Sequence, residues 1–280
     1  MRQVGIEIFY WLQNWSDDQA ACFKRARDIG FDAVEVSLIS GPETPITAMR
    51  AELDRLGLAV YASMGLPLEK DITSPDPSVQ RGGIEHLKRC VEAAARLGSP
   101  ILGGLPHVPW LHFPPETDLR PYRERSALAM REVAQTASDL GLTVCIELIN
   151  RFETYICNSV NEGLAYLEIV DHPSVKLQLD TYHMNMEEDD LGLAIRTAGS
   201  RLGHFHCADS NRKPPGGGHV QWAAIRQALD AVGYTGPLVI ECFPNPEAET
   251  GRTVNTWRPL VTDYDAEITR ALRLLREKVA

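Results

Sequence analysis

No apolar run in the 280-residue chain approaches the roughly 20 residues that a bilayer-spanning helix requires, so no membrane segment is expected. Positive charge is scarce. With 28 Lys and Arg against 38 Asp and Glu, the formal net charge is −10, which argues against a surface for nucleic acid or anionic lipid. The six cysteines (22, 90, 145, 157, 207 and 242) contain no CxxC pair and mostly lie in apolar stretches. That pattern fits reduced, mostly structural thiols in a cytoplasmic protein. Met1-Arg2-Gln3-Val4-Gly5 leads straight into an expected strand, without a signal-peptide pattern. No glycine-rich dinucleotide fingerprint follows that strand, and no GxxxxGK[ST] occurs, so no nucleotide cofactor is expected. Gly216-Gly217-Gly218 reads instead as a flexible loop.

Linker-like and low-complexity tracts are also missing, and what remains is a regular alternation. Strands are expected at 5–9, 33–36, 59–63, 101–104, 142–147, 175–180, 202–206 and 237–242. Between them fall helices capped by Ser16 or Asp17 and ended by Gly30, then at 45–56, 78–97, 121–140, 159–170, 187–198 and 221–231, with a last one at 263–278. Eight βα units in strict alternation imply a parallel sheet, and a count of eight favours closure into a single-domain (β/α)8 TIM barrel over residues 1–280. Residues 105–118, with four prolines and Trp110, read as a long loop: a lid over the site or a contact surface. His86 and His172 read as surface residues.

Four of these strands end in a group that can bind a metal: Glu147, Asp180, His206 and Glu241, on strands five to eight. In a TIM barrel those ends form the active-site face, and adjacent strands about 4.8 Å apart let the four side chains converge. Three carboxylates and one imidazole suit Mn²⁺, Co²⁺ or Mg²⁺ better than zinc, which favours more histidine or cysteine. His204 shares a strand face with His206 but lies deeper, as a hydrogen-bonded core histidine. His183 and Arg212 fall in segments beyond strand ends, where each can reach a substrate oxygen. Glu7 is either an ion-paired residue of the barrel floor or a wall of the pocket.

The segments Glu147-Leu148-Ile149-Asn150-Arg151-Phe152-Glu153-Thr154, Leu179-Asp180-Thr181-Tyr182-His183-Met184-Asn185-Met186-Glu187-Glu188 and Gly203-His204-Phe205-His206 running to Asn211-Arg212 resemble the signature of the D-tagatose 3-epimerase/D-psicose 3-epimerase family. That family belongs to the xylose-isomerase-like TIM barrels. Weaker likenesses at Gly5, Tyr10-Trp11 and Trp15, and at Ser74-Pro75-Asp76 with Ser78-Val79, extend the resemblance over nearly the whole chain. It implies that Glu147, Asp180, His206 and Glu241 hold a divalent metal, with Mn²⁺ first and Co²⁺ or Mg²⁺ as alternatives. It further implies that Glu147 and Glu241 are the acid/base pair, and that Glu153, His183 and Arg212 hold O1, O2 and O3 of a ketose. Trp110 and Gly104 correspond to walls of the substrate site. At position 7 the family tends to have an aromatic residue, so Glu7 is a departure that bears on which ketose is used.

The implied reaction is inversion of C3 in a free ketohexose or ketopentose of the D-tagatose, D-fructose, D-psicose or L-ribulose type, through a cis-enediolate. One glutamate removes the C3 proton and the other returns one to the opposite face, so the two carboxyls should differ in protonation state. An aldose–ketose or hydroxypyruvate-type isomerase on the same scaffold is the alternative. Endonuclease-like barrels with a histidine-rich zinc cluster fit poorly with one ligand histidine and an acidic chain. A sugar-binding barrel without catalysis fits poorly with the presence of both glutamates. The resemblance also implies a homodimer or homotetramer.

Overall fold

Period-two alternation in each strand sends side chains to two different interiors, and that division builds the molecule. The computed structural model describes residues 1–39 and 41–280. Its strands are β1 (Val4–Glu7), β2 (Ala33–Ser37), β3 (Ala59–Leu66), β4 (Ile101–Pro109), β5 (Thr143–Glu147), β6 (Val175–Asp180), β7 (Leu202–Cys207) and β8 (Leu238–Ile240). All pair in parallel, in chain order, and β8 closes on β1 to complete a (β/α)8 TIM barrel. The helices are α1 (Phe23–Ile29), α2 (Ile46–Leu56), α3 (Pro77–Leu97), α4 (Arg120–Asp139), α5 (Val160–Val170), α6 (Thr181–Glu187), α7 (Leu191–Ala198), α8 (Trp222–Ala231), α9 (Glu249–Thr253) and α10 (Tyr264–Lys278).

Outward-facing Val34, Val36, Val60, Leu102, Val144, Ile146, Leu177 and Leu179 join the helices in one large core. Each such side chain, fully buried, contributes about 1.5–3 kcal/mol. The inward faces form a second, small cluster of Ala33, Tyr61, Ile101, Cys145 and Val239. Above this apolar floor the inward positions turn polar: Glu7, Glu35 and Gln178, then Glu147 and Asp180 nearer the strand ends. The barrel is thus apolar at its base and chemically equipped at its mouth.

Several elements differ from the sequence reading. The first helix starts at Phe23, because Asp17 turns back to accept from the Gln13 and Asn14 amides (2.9 Å each) instead of capping a helix. A 3-10 turn over Gln19–Cys22, capped by Asp18, precedes it. The strand of β4 continues to Pro109, so residues 105–109 are not loop. Its pairing to β5 stops at Leu102, while β3 pairs with it as far as Pro109, so one edge is left where proline costs no ladder bond. The helix expected at 187–198 is α7, which starts at Leu191 with Asp190 as its cap, and an additional helix, α6, capped by Asp180, precedes it. His86 is buried against Cys90 (3.5 Å) rather than on the surface, and His172 is half-buried. All six cysteines are free thiols.

Gly104 shows how tightly β3 and β4 are fitted. Its φ is +83°, and a Cβ there would lie 2.5 Å from the Met64 carbonyl oxygen. Its amide donates to Gln178 Oε1 at 3.0 Å. Gly104→Ala is therefore expected to cost at least about 1–3 kcal/mol, the usual penalty for a side chain at such a backbone angle. Urea unfolding would check it, and an unchanged midpoint would contradict the close approach.

Candidate active site

At the strand ends a cavity of about 340 Å³ opens, large enough for a monosaccharide, and its lining includes Glu7, Gly104, Trp110, Glu147, Glu153, His183, His206, Arg212 and Glu241. Glu147 and Asp180 are the last residues of β5 and β6, His206 is the penultimate residue of β7, and Glu241 directly follows β8. Each of the four can bring one ligand atom within 4.8 Å of the others. His206 Nδ1 lies 3.7 Å from both Glu147 Oε1 and Glu241 Oε2. Those two carboxylate oxygens are buried and lack a hydrogen-bond partner among the described residues. The orphaned Glu147 Oε1 beside an imidazole, in a three-carboxylate set, fits a divalent cation of the Mn²⁺, Mg²⁺ or Co²⁺ kind.

Arg212 neutralises part of this charge. Its Nη1 donates to Asp180 Oδ2 at 2.8 Å, and its Nη2 stands 2.6 Å from Glu241 Oε2 as an ion pair outside hydrogen-bond alignment. The guanidinium lies over the rings of Tyr182 (4.7 Å) and Phe243 (5.3 Å). Its backbone has φ +62°, in a turn where the Arg212 amide donates to Asp209 O (2.9 Å). Asp209 in turn gathers the amides of Ser210, Gly216 and Val220, so the glycine-bearing loop serves to aim Arg212.

The neighbouring groups are also held. The Asn150 amide donates to His183 Nδ1 (3.2 Å), which leaves Nε2 as the ring donor. Burial, with Arg212 adding to it, keeps His183 well below the usual histidine range, so the ring is neutral. Glu153 accepts from Asn150 Nδ2 (2.7 Å) through one oxygen and from Trp110 Nε1 (3.0 Å) through the other. Trp110 packs edge-on against Trp15, at 6.2 Å between centroids.

The two glutamates are driven in opposite directions. Burial, reinforced by Glu241, pushes the Glu147 carboxyl well up. At Glu241 burial also works upward, but Arg212 and then His206 outweigh it and hold the carboxyl below its ordinary range. Asp180 is raised to about 6 by burial, against the pull of Arg212. Two carboxyls separated in this way have the arrangement that general acid–base chemistry uses.

Sequence reasoning missed Glu35. It sits between valines in β2, where a lone glutamate gives no sign that it faces inward. Its carboxylate binds His204 Nε2 (2.6 Å) and His206 Nε2 (3.0 Å), which fixes His206 with Nδ1 toward the carboxylates. Burial raises its pKa, but His206 and His204 prevail and bring it to about 2. His204 is thus the deep, hydrogen-bonded core histidine that its position suggested. Glu7 makes no ion pair among the described residues, which overturns the ion-paired floor reading; it lines the cavity. Its carboxyl is pushed well up by burial, then by Glu35 and Glu241. Phe9, Trp15, Ser37, Ser63 and Phe243 complete walls that the sequence reading did not assign. His107 is fully buried against Tyr166, and His219 contacts Ser210; neither lines the cavity.

A closed eight-stranded barrel with a metal-capable carboxylate–imidazole set at its strand ends defines the class, and the xylose isomerase-like TIM barrel family matches residues 23–260. Two relatives narrow the assignment. The D-psicose 3-epimerase of Ruminiclostridium cellulolyticum is 34% identical over 268 residues, 94% of this chain and 92% of that one. The L-ribulose 3-epimerase of Methylomonas sp. is 33% identical over 279 residues, covering 99% and 97%. A crystal structure of a D-psicose 3-epimerase in the presence of D-fructose superposes with a TM-score of 0.95 at 33% identity, covering 99% of each chain. The chain belongs to the ketose 3-epimerase family of xylose isomerase-like barrels.

Proposed function

We propose that the protein is a metal-dependent isomerase that inverts C3 of free ketohexoses or ketopentoses, such as D-fructose, D-tagatose, D-psicose or L-ribulose. The observation that carries this reading is the convergence of Glu147, Asp180, His206 and Glu241 on one cavity of monosaccharide size. These four residues would hold the ion, with Mn²⁺ preferred and Co²⁺ or Mg²⁺ as substitutes. When bound there, a divalent ion supplies Lewis-acid polarisation of the C2 carbonyl and so acidifies the C3 proton.

The chain's own residues do the rest. One of Glu147 and Glu241 takes the C3 proton, leaving a cis-enediolate, and the other delivers a proton to the opposite face. Which acts first follows from the configuration of the substrate, and the reaction runs both ways. The neutral His183 donates from Nε2 to a substrate oxygen, while Arg212 and Glu153 hold the neighbouring oxygens. Trp110, packed on Trp15, walls the sugar and limits the access of water to the carbanionic intermediate. Residues 1–280 act as one catalytic domain of a cytoplasmic homodimer or homotetramer. Exposed Leu111, Phe113, Phe152 and Trp257 on the mouth loops support self-association.

Incubating the Mn²⁺-loaded protein with D-fructose, D-tagatose and L-ribulose in D₂O tests the reading. Deuterium at C3 together with the C3 epimer is the expected result. Label at C1 with aldose formed would make the protein an aldose–ketose isomerase instead, and no exchange with any ketose would overturn both.

A further inference from the structure

A second cavity, of about 380 Å³, lies at the end of the barrel away from the mouth. It is lined by Ile101 and Thr143, the first residues of β4 and β5, by Lys176, the second of β6, and by the loops leading into β7 and β8. These are the N-terminal ends of the strands, so the apolar floor separates this cavity from the catalytic one. Ile101 belongs both to that floor and to the lower lining. Lys176 is the one charged residue in the lining among the described residues, and no carboxylate accompanies it. The lysines that form ion pairs are Lys24 and Lys88, which leaves Lys176 half-buried without a counter-charge among the described residues. Its placement is specific. Lys176 stands two residues before Gln178, on the inward face, in register with Cys145. Opposite it, β7 carries an extra residue, Gly203, between the pairs Leu177–Leu202 and Gln178–His204. A Cβ at Gly203 would fall 2.8 Å from Lys176 Cβ and 3.3 Å from its Cδ, so the lysine stem fills the space that this glycine leaves. Thr143, Ser200 and Thr235 bring hydroxyls to the same cavity.

A half-buried ammonium loses part of its hydration and regains that interaction when an anion faces it. We propose that the lower cavity is a binding site for a small hydroxylated anion, with its carboxylate or phosphate on Lys176 and its hydroxyls on Thr143, Ser200 and Thr235. One cation matches one anionic group. The three protein hydroxyls can each donate and accept, as a polyol requires. The volume is close to that of the mouth cavity, so the ligand is of monosaccharide size, a sugar acid or a sugar phosphate. With a net charge of −10 the chain repels anions at long range, so the attraction is local and weakens with salt. The site is independent of the chemistry at the mouth.

Calorimetry of the Mn²⁺-loaded protein at low salt tests this, with D-gluconate, D-fructose 6-phosphate and inorganic phosphate as probes. At least one of the two sugar anions is expected to bind with a Kd below about 1 mM, and which one does so separates a carboxylate ligand from a phosphate. Inorganic phosphate, which lacks the polyol, should bind at least about tenfold more weakly than the better sugar anion. Lys176→Met should raise that Kd by about 10- to 100-fold, the loss of a hydrogen bond to a charged group. Lys176→Arg, which keeps the charge, should bind more tightly than Lys176→Met. Should Lys176→Met fail to fold, the double variant Ser200→Ala/Thr235→Ala decides, since both positions are exposed and a loss of about tenfold is expected there too. The proposal is overturned if neither sugar anion binds more tightly than about 1 mM, or if inorganic phosphate binds as well as both. An unchanged Kd in a folded Lys176→Met would also overturn it. So would displacement of the anion by D-fructose, which would place the ligand at the mouth.

Discussion

Glu241→Gln and Glu147→Gln are each expected to lower kcat for C3 inversion by about 10³- to 10⁴-fold, near the upper end of what a single general acid or base contributes. The amide cannot take or return the C3 proton, and it also removes one anionic oxygen from the metal-capable set. The two losses can be separated. Metal content after dialysis reports the ligand role, and C3 deuterium exchange under saturating Mn²⁺ reports the proton role. A two-base site requires that both variants fail to invert even when fully loaded. If either loaded variant turned over at more than about a tenth of the wild-type rate, the assignment of that glutamate would be wrong. The opposite directions in which burial and Arg212 drive these carboxyls support the division of labour.

Arg212→Ala should show a second large effect, in stability as well as in binding. Its guanidinium pairs with both Asp180 and Glu241 inside the site. Removing one partner of a buried ion pair leaves the other uncompensated, at a cost of about 3–5 kcal/mol. Bound Mn²⁺ would supply the missing positive charge. Chelator-treated Arg212→Ala is therefore expected to unfold at much lower temperature than chelator-treated wild type, with the gap narrowing on addition of Mn²⁺. KM for ketoses should rise in the loaded enzyme. An identical loss of Tm with and without Mn²⁺ would show that the arginine does not balance the metal-binding carboxylates.

The barrel was legible because eight strands alternate strictly with helices, and the site because four of those strands stop on charged or metal-capable groups. Leu142 to Glu147 and Val175 to Asp180 each carry an apolar residue at alternate positions and end in a carboxylate, and that pattern repeated on successive strands points to a site at the mouth. Other features were hidden by competing signals. The strand extension to Pro109 was obscured by its prolines, which are tolerated because that stretch of β4 pairs on one side only. The start of α6 was missed because Asp180, read as a metal ligand, is also its N-cap and accepts the Tyr182 amide at 2.7 Å. Glu35 was invisible because inward and outward glutamates look alike between valines. Glu7 could be placed on a face but not assigned a partner, since the lack of a counter-charge is a three-dimensional fact.

The closed apolar floor of Ala33, Tyr61, Ile101, Cys145 and Val239 has a consequence for traffic. A barrel sealed at its base is a well and not a passage, so reactant and product must use the same opening. They are also nearly the same molecule, differing only in the hand of one carbon. The two epimers must therefore compete for one mouth, each inhibiting the turnover of the other, while the mixture outside settles, as with any catalyst, to the ratio fixed by the sugars' own free energies. Any net flow in one direction has to be imposed by whatever next consumes one of the pair.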